Sequence, residues 1–225
     1  MRVLGPHQTI IEGLVSAQEE LGDLPFPDLV RQVTGHEVLP YDPHDEVVQE
    51  VIRAIDRAAD GALAFLNQPA SPAREKRRIN EVSVLVESVL LEHLAQEPVL
   101  DCDIPPDPQG KQRRTGYPDL RILHRPSGRV VYLDPKLYEA DSETSTLRTF
   151  YFKPNAETSK IGESAHHWLL GFRHDGRTRE WRFDRWQLID LHGFQIGLKV
   201  EFQGSNKDLY RPGLTIQNSD PQNLE

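Results

Sequence analysis

Hydrophobic residues in the first 95 positions recur at the three- and four-residue spacing of an amphipathic helix. This spacing predicts helices over residues 6–22, 45–67 and 74–95. A proline-rich passage separates the first two helices, and the run Gln68-Pro-Ala-Ser-Pro-Ala ends the second. The front of the chain is therefore expected to be helical, with a seam near residue 70.

The hydrophobic period changes after Pro98, where short runs rich in β-branched and aromatic residues predict strands. The predicted strands span residues 99–104, 119–124, 129–137, 147–152, 167–172, 179–191 and 195–202, and a short helix is predicted over 158–165. From residue 74, with the run at 147–152 set aside, the order begins helix, strand, strand, strand, short helix, strand. This order indicates the α+β class rather than a fold of repeated βαβ units.

These elements divide the chain into three predicted parts: a helical N-terminal extension of residues 1–70, a core of residues 71–210, and a tail of residues 211–225. Charge is distributed unevenly among them. Residues 1–60 hold 12 acidic and four basic residues, whereas residues 111–136 hold seven basic and two acidic residues. The net charge of −9 therefore comes mainly from the front of the chain, and a basic stripe lies in the middle.

Several classes of protein are excluded or disfavoured by what the sequence lacks. The lone cysteine, Cys102, forms neither an internal disulfide nor a cysteine-based zinc cluster. The N-terminus lacks the apolar region of a signal peptide, and no apolar run reaches the roughly 18 residues of a membrane span. The sequence also lacks the common zinc-protease, serine-hydrolase and phosphate-loop motifs. We therefore expect a cytoplasmic protein that does not bind membranes.

The most informative segment is a predicted hairpin that carries two aspartates and a lysine. Its strands are joined by the turn at residues 125–128, so their open ends, at Asp119 and Asp134, are expected to lie side by side. Asp134 and Lys136 are two positions apart and share one face of their strand. Two adjacent carboxylates repel unless a proton or a cation lies between them. The hairpin therefore predicts a site for Mg²⁺ or Mn²⁺.

Pro118-Asp119, the fourteen-residue gap and Asp134-x-Lys136 resemble the motif of the PD-(D/E)xK nuclease superfamily. The resemblance covers roughly residues 74–173 and implies a restriction-endonuclease-like core of α-β-β-β-α-β order. It also implies a metal-dependent DNA endonuclease of restriction or repair type, which often acts as a homodimer. Pro135 departs from the expected pattern, because proline removes a hydrogen-bond donor from a central strand.

In this resemblance, Asp119 and Asp134 are the metal ligands, and Lys136 orients the attacking water. The family often adds an acidic residue from the helix before the first strand, and Glu87 and Glu81 compete for this role. Glu87 falls within the apolar arc of its helix, where an unpaired carboxylate is costly, whereas Glu81 falls on the polar stripe. We therefore assign Glu87 as the third catalytic and metal-binding acid, with Glu81 as the alternative.

Basic residues around the motif are candidates for contacts with DNA phosphates. These candidates are Arg113, Arg114, Arg148, Lys153 and Lys160. The acidic N-terminal region is expected to face away from DNA or to bind a partner protein.

Two other readings remain. One is a catalytically inactive DNA-binding or protein-interaction module of the same fold, and the other is a structural α+β protein in which the motif arose by chance. Carboxylates that converge beside Lys136 favour the enzyme, whereas carboxylates that point apart leave only the chance motif.

Overall fold

The computed structural model describes residues 6–145, 150–201, 203–209 and 214, and it has the predicted α+β character. Residues 24–195 form one compact unit, and the described residues of segments 1–23 and 196–225 belong to a second. The helices are α1 (Pro6–Glu20), α2 (Phe26–Thr34), α3 (Glu46–Asn67), α4 (Ile79–Ala95) and α5 (Asn206–Leu209). The strands are β1 (Leu24–Pro25), β2 (Val38–Leu39), β3 (Leu100–Asp103), β4 (Leu120–His124), β5 (Arg129–Glu139), β6 (Ala165–His174), β7 (Phe183–Asp190) and β8 (Gln195–Ile196).

Helices α3 and α4 form one layer of the larger unit. Asp45 caps α3 by accepting hydrogen bonds from the backbone N–H groups of Val47 and Val48. The two helices approach closely where Gly61 of α3 meets His93 of α4. A Cβ at Gly61 would lie only 2.6 Å from the imidazole ring, so the contact requires a residue without a side chain. Helix α4 begins five residues later than predicted, since Pro72–Glu75 form a separate 3₁₀ turn.

Six of the described strands form one mixed sheet. Its main path runs β2-β6-β5-β4-β3, and β7 pairs with β6 as well. Strands β3, β4 and β5 are antiparallel neighbours, whereas β5 and β6 run parallel. The predicted hairpin is therefore present as β4 and β5, with Leu120 opposite Leu133.

Alternate residues of the strands point to opposite sides of the sheet, and each side packs against a hydrophobic core. Leu120 and Leu133 face a core formed with α3 and α4. Tyr132 and its neighbour His167 face a second, more aromatic core that includes Phe26 of α2. Asp134 follows Leu133 at the point where β5 extends beyond β4.

Several predicted elements are absent or shorter than expected. No helix forms over residues 158–164, where the Ser159 hydroxyl accepts a hydrogen bond from the N–H of Ile161 and the N–H of Gly162 donates to the hydroxyl of Tyr132. Side-chain hydrogen bonds of this kind compete with a helix. The described part of the predicted strand 147–152 is not a strand either, and the strand predicted over residues 179–191 begins only at Phe183.

Helix α3 belongs to the same compact unit as the sheet and contributes Val51 and Ile55 to its core. The predicted boundary at residue 70 remains a prediction. The predicted tail lies outside the described residues except for Leu214. No helix within the described ranges has the length and apolar character needed to cross a membrane.

Candidate active site

The hairpin brings Asp119 and Asp134 together at one end of the sheet. Asp119 lies immediately before β4, and Asp134 lies one residue beyond the last pair of the β4–β5 ladder. Lys136 contacts both carboxylates: its Nζ lies 3.6 Å from Oδ2 of Asp119 and forms a shorter ion pair with Oδ2 of Asp134. The predicted convergence of the three side chains is therefore present.

Pro135 is accommodated because the β4-facing edge of β5 is no longer paired at this position. Strand β4 begins at Leu120, opposite Leu133, so it provides no ladder partner for residues 134–136. Strand β5 stays in register with β6 here, with Pro135 opposite Leu170. The proline therefore does not prevent Lys136 from reaching the two aspartates.

Asp134 is buried in a way that opposes its negative charge. Only 2% of its surface is exposed, and burial raises the pKa of its carboxyl group to about 7. Lys136 partly offsets this effect, whereas the neighbouring Asp119 adds to it. Oδ2 of Asp134 is buried, and the Lys136 ammonium is its ion-pair partner.

Lys136 shows the complementary response. Burial alone would lower the pKa of its ammonium group, but Asp134 and Asp119 together raise it above the usual value. The ammonium therefore remains charged and neutralises part of the negative charge of the two aspartates. Its Nζ also lies 3.4 Å from the backbone oxygen of Pro135.

Of the two candidate acids on α4, the structure brings Glu87 to the site. Glu87 is half-buried, and together with Asp119 and Arg114 it lines a narrow cleft. Burial and then the charge of Asp119 raise the pKa of Glu87. Glu81, in contrast, is exposed at the start of α4, where its carboxylate accepts a hydrogen bond from the N–H of Arg77.

Lys160 occupies a different environment from the predicted one. It lies on the irregular segment between β5 and β6, with 3% of its surface exposed, and donates from Nζ to the backbone oxygen of Arg113 at 3.3 Å. Burial lowers the pKa of its ammonium group, while Asp119, Asp134 and Glu87 act in the opposite direction. Sequence reasoning placed Lys160 on a helix as a phosphate contact and did not anticipate its burial beside the carboxylates.

The other predicted DNA contacts differ in how accessible they are. Arg113 is held by an ion pair with Asp107 at 2.9 Å, whereas Arg114 is exposed at the cleft. Lys153 is exposed on the segment between β5 and β6, and Arg148 lies outside the described residues.

Asp107 organises the connection between β3 and β4, which we call the Asp107 loop (residues 105–116). Its carboxylate accepts hydrogen bonds from the N–H groups of Gln109 and Lys111 and from the Arg113 guanidinium. The sequence offered one clue to this role, because aspartate followed by Pro-Gln-Gly is typical of a turn.

A buried pair behind the hairpin also escaped sequence reasoning. The Tyr117 hydroxyl and Nδ1 of His167 lie 2.7 Å apart, and both side chains are buried. Burial lowers the pKa of His167 to about 3, so its ring is neutral at physiological pH. Tyr117 precedes Pro118-Asp119 directly, and its ring therefore anchors the chain two residues before the site.

The donor set suits a hard divalent cation held by few protein ligands. Among the described residues, no three His, Cys, Asp or Glu side chains converge closely enough to hold an ion. Asp119 and Asp134 nevertheless present two adjacent carboxylates that share a single ammonium, that of Lys136. Mg²⁺ typically binds one or two carboxylates and keeps several waters, so two aspartates are sufficient.

Comparison with known proteins assigns this chain to a family. The chain is 28% identical over 205 residues to the type II restriction enzyme MjaV of Methanocaldococcus jannaschii. The aligned region covers 87% of this chain and 88% of that protein. No solved structure matches the chain. The model of the type II restriction enzyme MjaV family matches residues 20–213, a range that contains the hairpin, Glu87 and Lys160. The chain therefore belongs to the type II restriction enzyme MjaV family.

Proposed function

We propose that this protein is a divalent-metal-dependent DNA endonuclease of restriction type with a PD-(D/E)xK site. The observation that carries the proposal is the contact of Lys136 with both Asp119 and Asp134 at the unpaired end of the hairpin. Family membership supports restriction-type DNA cleavage over an inactive binding module. The restriction-endonuclease-like core is part of the proposal, although the helix predicted after its third strand is absent.

In the proposed reaction, Asp119 and Asp134 hold Mg²⁺ or Mn²⁺, and Glu87 assists from α4. A divalent ion held there would lower the pKa of a water molecule and neutralise charge on the phosphoryl oxygens. Lys136 contacts both aspartates. In the proposed reaction its ammonium orients the attacking water and stabilises the charge that develops on the phosphate. Arg114 lies at the entrance of the cleft and contributes positive charge for the DNA backbone.

The primary test is cleavage of plasmid and linear duplex DNA with and without millimolar Mg²⁺ or Mn²⁺. The wild-type protein is expected to produce discrete fragments only with the metal. Lys136→Ala should lower the rate at least about a hundredfold, because it removes a charge at the reacting phosphate. Its metal binding, measured by calorimetry, should be nearly unchanged.

Lys207→Ala is the matched control, since Lys207 is an exposed lysine on α5. Equal loss of cleavage in both variants would contradict the role of Lys136. A wild-type protein that binds DNA but does not cut it with any divalent ion would favour the inactive DNA-binding module. Sedimentation of the protein alone and on duplex DNA tests the proposed homodimer. The protein partner for the acidic N-terminal region remains a prediction.

A further inference from the structure

The Asp107 loop is an exposed segment with an ordered internal framework. Every residue from Pro108 to Gly116 is exposed, whereas the carboxylate that holds the loop is buried. Besides its three side-chain contacts, the loop is closed by the Asp107 N–H, which donates to the backbone oxygen of Lys111 at 3.0 Å. An isolated β-bridge between Pro106 and Gln112 completes a narrow two-stranded tip. The loop is therefore preorganised, and a partner that binds its tip pays little ordering entropy.

The loop lies directly beside the candidate active site. Arg114, near its end, lines the cleft with Glu87 and Asp119. Buried Lys160 donates to the backbone oxygen of Arg113, which ties the loop to the neighbourhood of the carboxylates. A phosphodiester bond at the carboxylates would therefore place adjoining base pairs next to the loop.

The side chains of the loop divide into two chemical groups. Arg113 is committed to Asp107, which leaves Lys111 and Arg114 as exposed cations suited to phosphates. Gln109 and Gln112 are exposed amides, with one at the turn and the other on the bridge. A glutamine amide presents one donor and one acceptor, the pair that matches N7 and the amino group of adenine in the major groove.

We propose that the Asp107 loop enters the major groove beside the scissile phosphate and reads base edges through Gln109 and Gln112. The proposal rests on the DNA cleavage proposed above and assigns sequence selection to a part of the chain separate from the carboxylates. The major groove admits a two-stranded ribbon, and the two arms of this tip are joined by a single β-bridge in the manner of a short hairpin. Arg113 and Asp107 act as positioning residues, because they hold the ribbon without contacting bases.

The experiment first identifies the cut sequence by digesting mixed genomic DNA with the wild-type protein and Mg²⁺ and sequencing the fragment ends. Gln109→Ala, Gln112→Ala and the double variant are then compared on a duplex with the cut sequence and on a scrambled duplex. Each substitution is expected to reduce the preference for the cut sequence by roughly 5- to 150-fold, in both binding and kcat/KM. The salt dependence of binding to the scrambled duplex should not change, since Lys111 and Arg114 remain.

Gln96→Ala is the matched control, because this exposed glutamine precedes β3 and lies at the opposite end of that strand from the loop. Its preference should equal that of the wild type. Thermal melting checks that the variants fold. Because the substituted positions are exposed, each variant is expected to melt at the wild-type temperature.

A second measurement distinguishes base contact from an indirect effect. Each adenine of the cut sequence is replaced in turn by 7-deazaadenine, which removes the N7 acceptor. At the adenines that the loop reads, the replacement should weaken wild-type binding but leave the binding of the glutamine variants unchanged. The proposal would be overturned if 7-deazaadenine weakened binding equally in the wild type and the glutamine variants, or if the double variant kept the wild-type preference. Either result would leave the proposed DNA cleavage standing. A wild-type protein that neither binds nor cuts DNA would overturn the proposed function together with it.

Discussion

Asp107 and Asp134 are two aspartates of nearly equal exposure, at 3% and 2%, whose pKa values are shifted in opposite directions. The Asp107 loop surrounds its carboxylate with donors, chiefly the N–H of Lys111, and these hold the pKa of Asp107 below its usual value. Where β5 extends beyond β4, burial raises the pKa of Asp134 to about 7, and the Lys136 ammonium only partly offsets this effect.

The difference separates a structural carboxylate from one that is ready to bind a cation. Hydrogen bonds from the loop stabilise the ionised form of the Asp107 carboxyl group, so Asp107 does not require a further ligand. Asp134 shares the Lys136 ammonium with Asp119, and a divalent cation would balance the negative charge that one ammonium leaves on the two carboxylates. Perturbed groups of this kind concentrate at functional sites.

Asparagine substitution at the two positions should give the largest contrast. Asp134→Asn is expected to lower DNA cleavage by at least about a thousandfold and to remove metal binding, because it replaces a charged ligand with a neutral one. Asp107→Asn should retain metal binding, since the hairpin is unchanged. Cleavage rates and metal calorimetry on both variants check this, and equal metal affinity in Asp134→Asn and the wild type would contradict the assignment.

Metal should also stabilise the wild-type fold through Asp134. With Mg²⁺ or Mn²⁺ at about a hundred times its dissociation constant, binding contributes about 2.7 kcal/mol, which corresponds to a rise in melting temperature of about 5–10 °C. Asp107→Asn should show the same rise and Asp134→Asn none. Thermal melts of the three proteins with metal and with chelator measure it, and an unmoved wild-type melt would count against the metal site.

The metal-free protein should lose stability as pH rises, and Asp134 should be responsible. The folded pKa of about 7 lies above the ordinary aspartate pKa of 3.8, so the fold favours the protonated carboxyl group. The contribution of Asp134 to the free energy of unfolding is up to about 4 kcal/mol. It is fully present below pH 3.8 and is lost as pH rises through 7. Urea unfolding from pH 4.5 to 8 should show the wild type losing stability relative to Asp134→Asn, and parallel profiles would refute the prediction.

The smallest expected effect is local to the Asp107 loop. Asp107→Asn weakens the acceptor for the N–H groups of Gln109 and Lys111, so both amides should exchange with solvent faster than in the wild type. Amide exchange in the strands should stay the same, because the change is confined to the loop. Protection of these two amides that matches the wild type would show that the carboxylate does not hold the loop.

The sequence was most informative where a contact depends on residues close together in the chain. The tight turn at residues 125–128 sets the register of β4 and β5, and the two-residue period of a strand puts Asp134 and Lys136 on one face. Helical periodicity likewise separated Glu87 from Glu81, and the structure brings Glu87 but not Glu81 to the cleft. The helices over residues 6–22 and 45–67 were predictable for the same reason.

Tertiary structure decided what depends on distant neighbours. Local pattern favoured a helix at residues 158–165, but Ser159 and the Tyr132 hydroxyl offer its backbone other hydrogen bonds, and Lys160 is consequently buried beside the carboxylates. The sequence also did not show that Asp107 holds its loop through hydrogen bonds, or that Arg113 is occupied by an ion pair. Turns and strand periods act over a few residues, whereas burial and the pairing of charges are properties of the assembled fold.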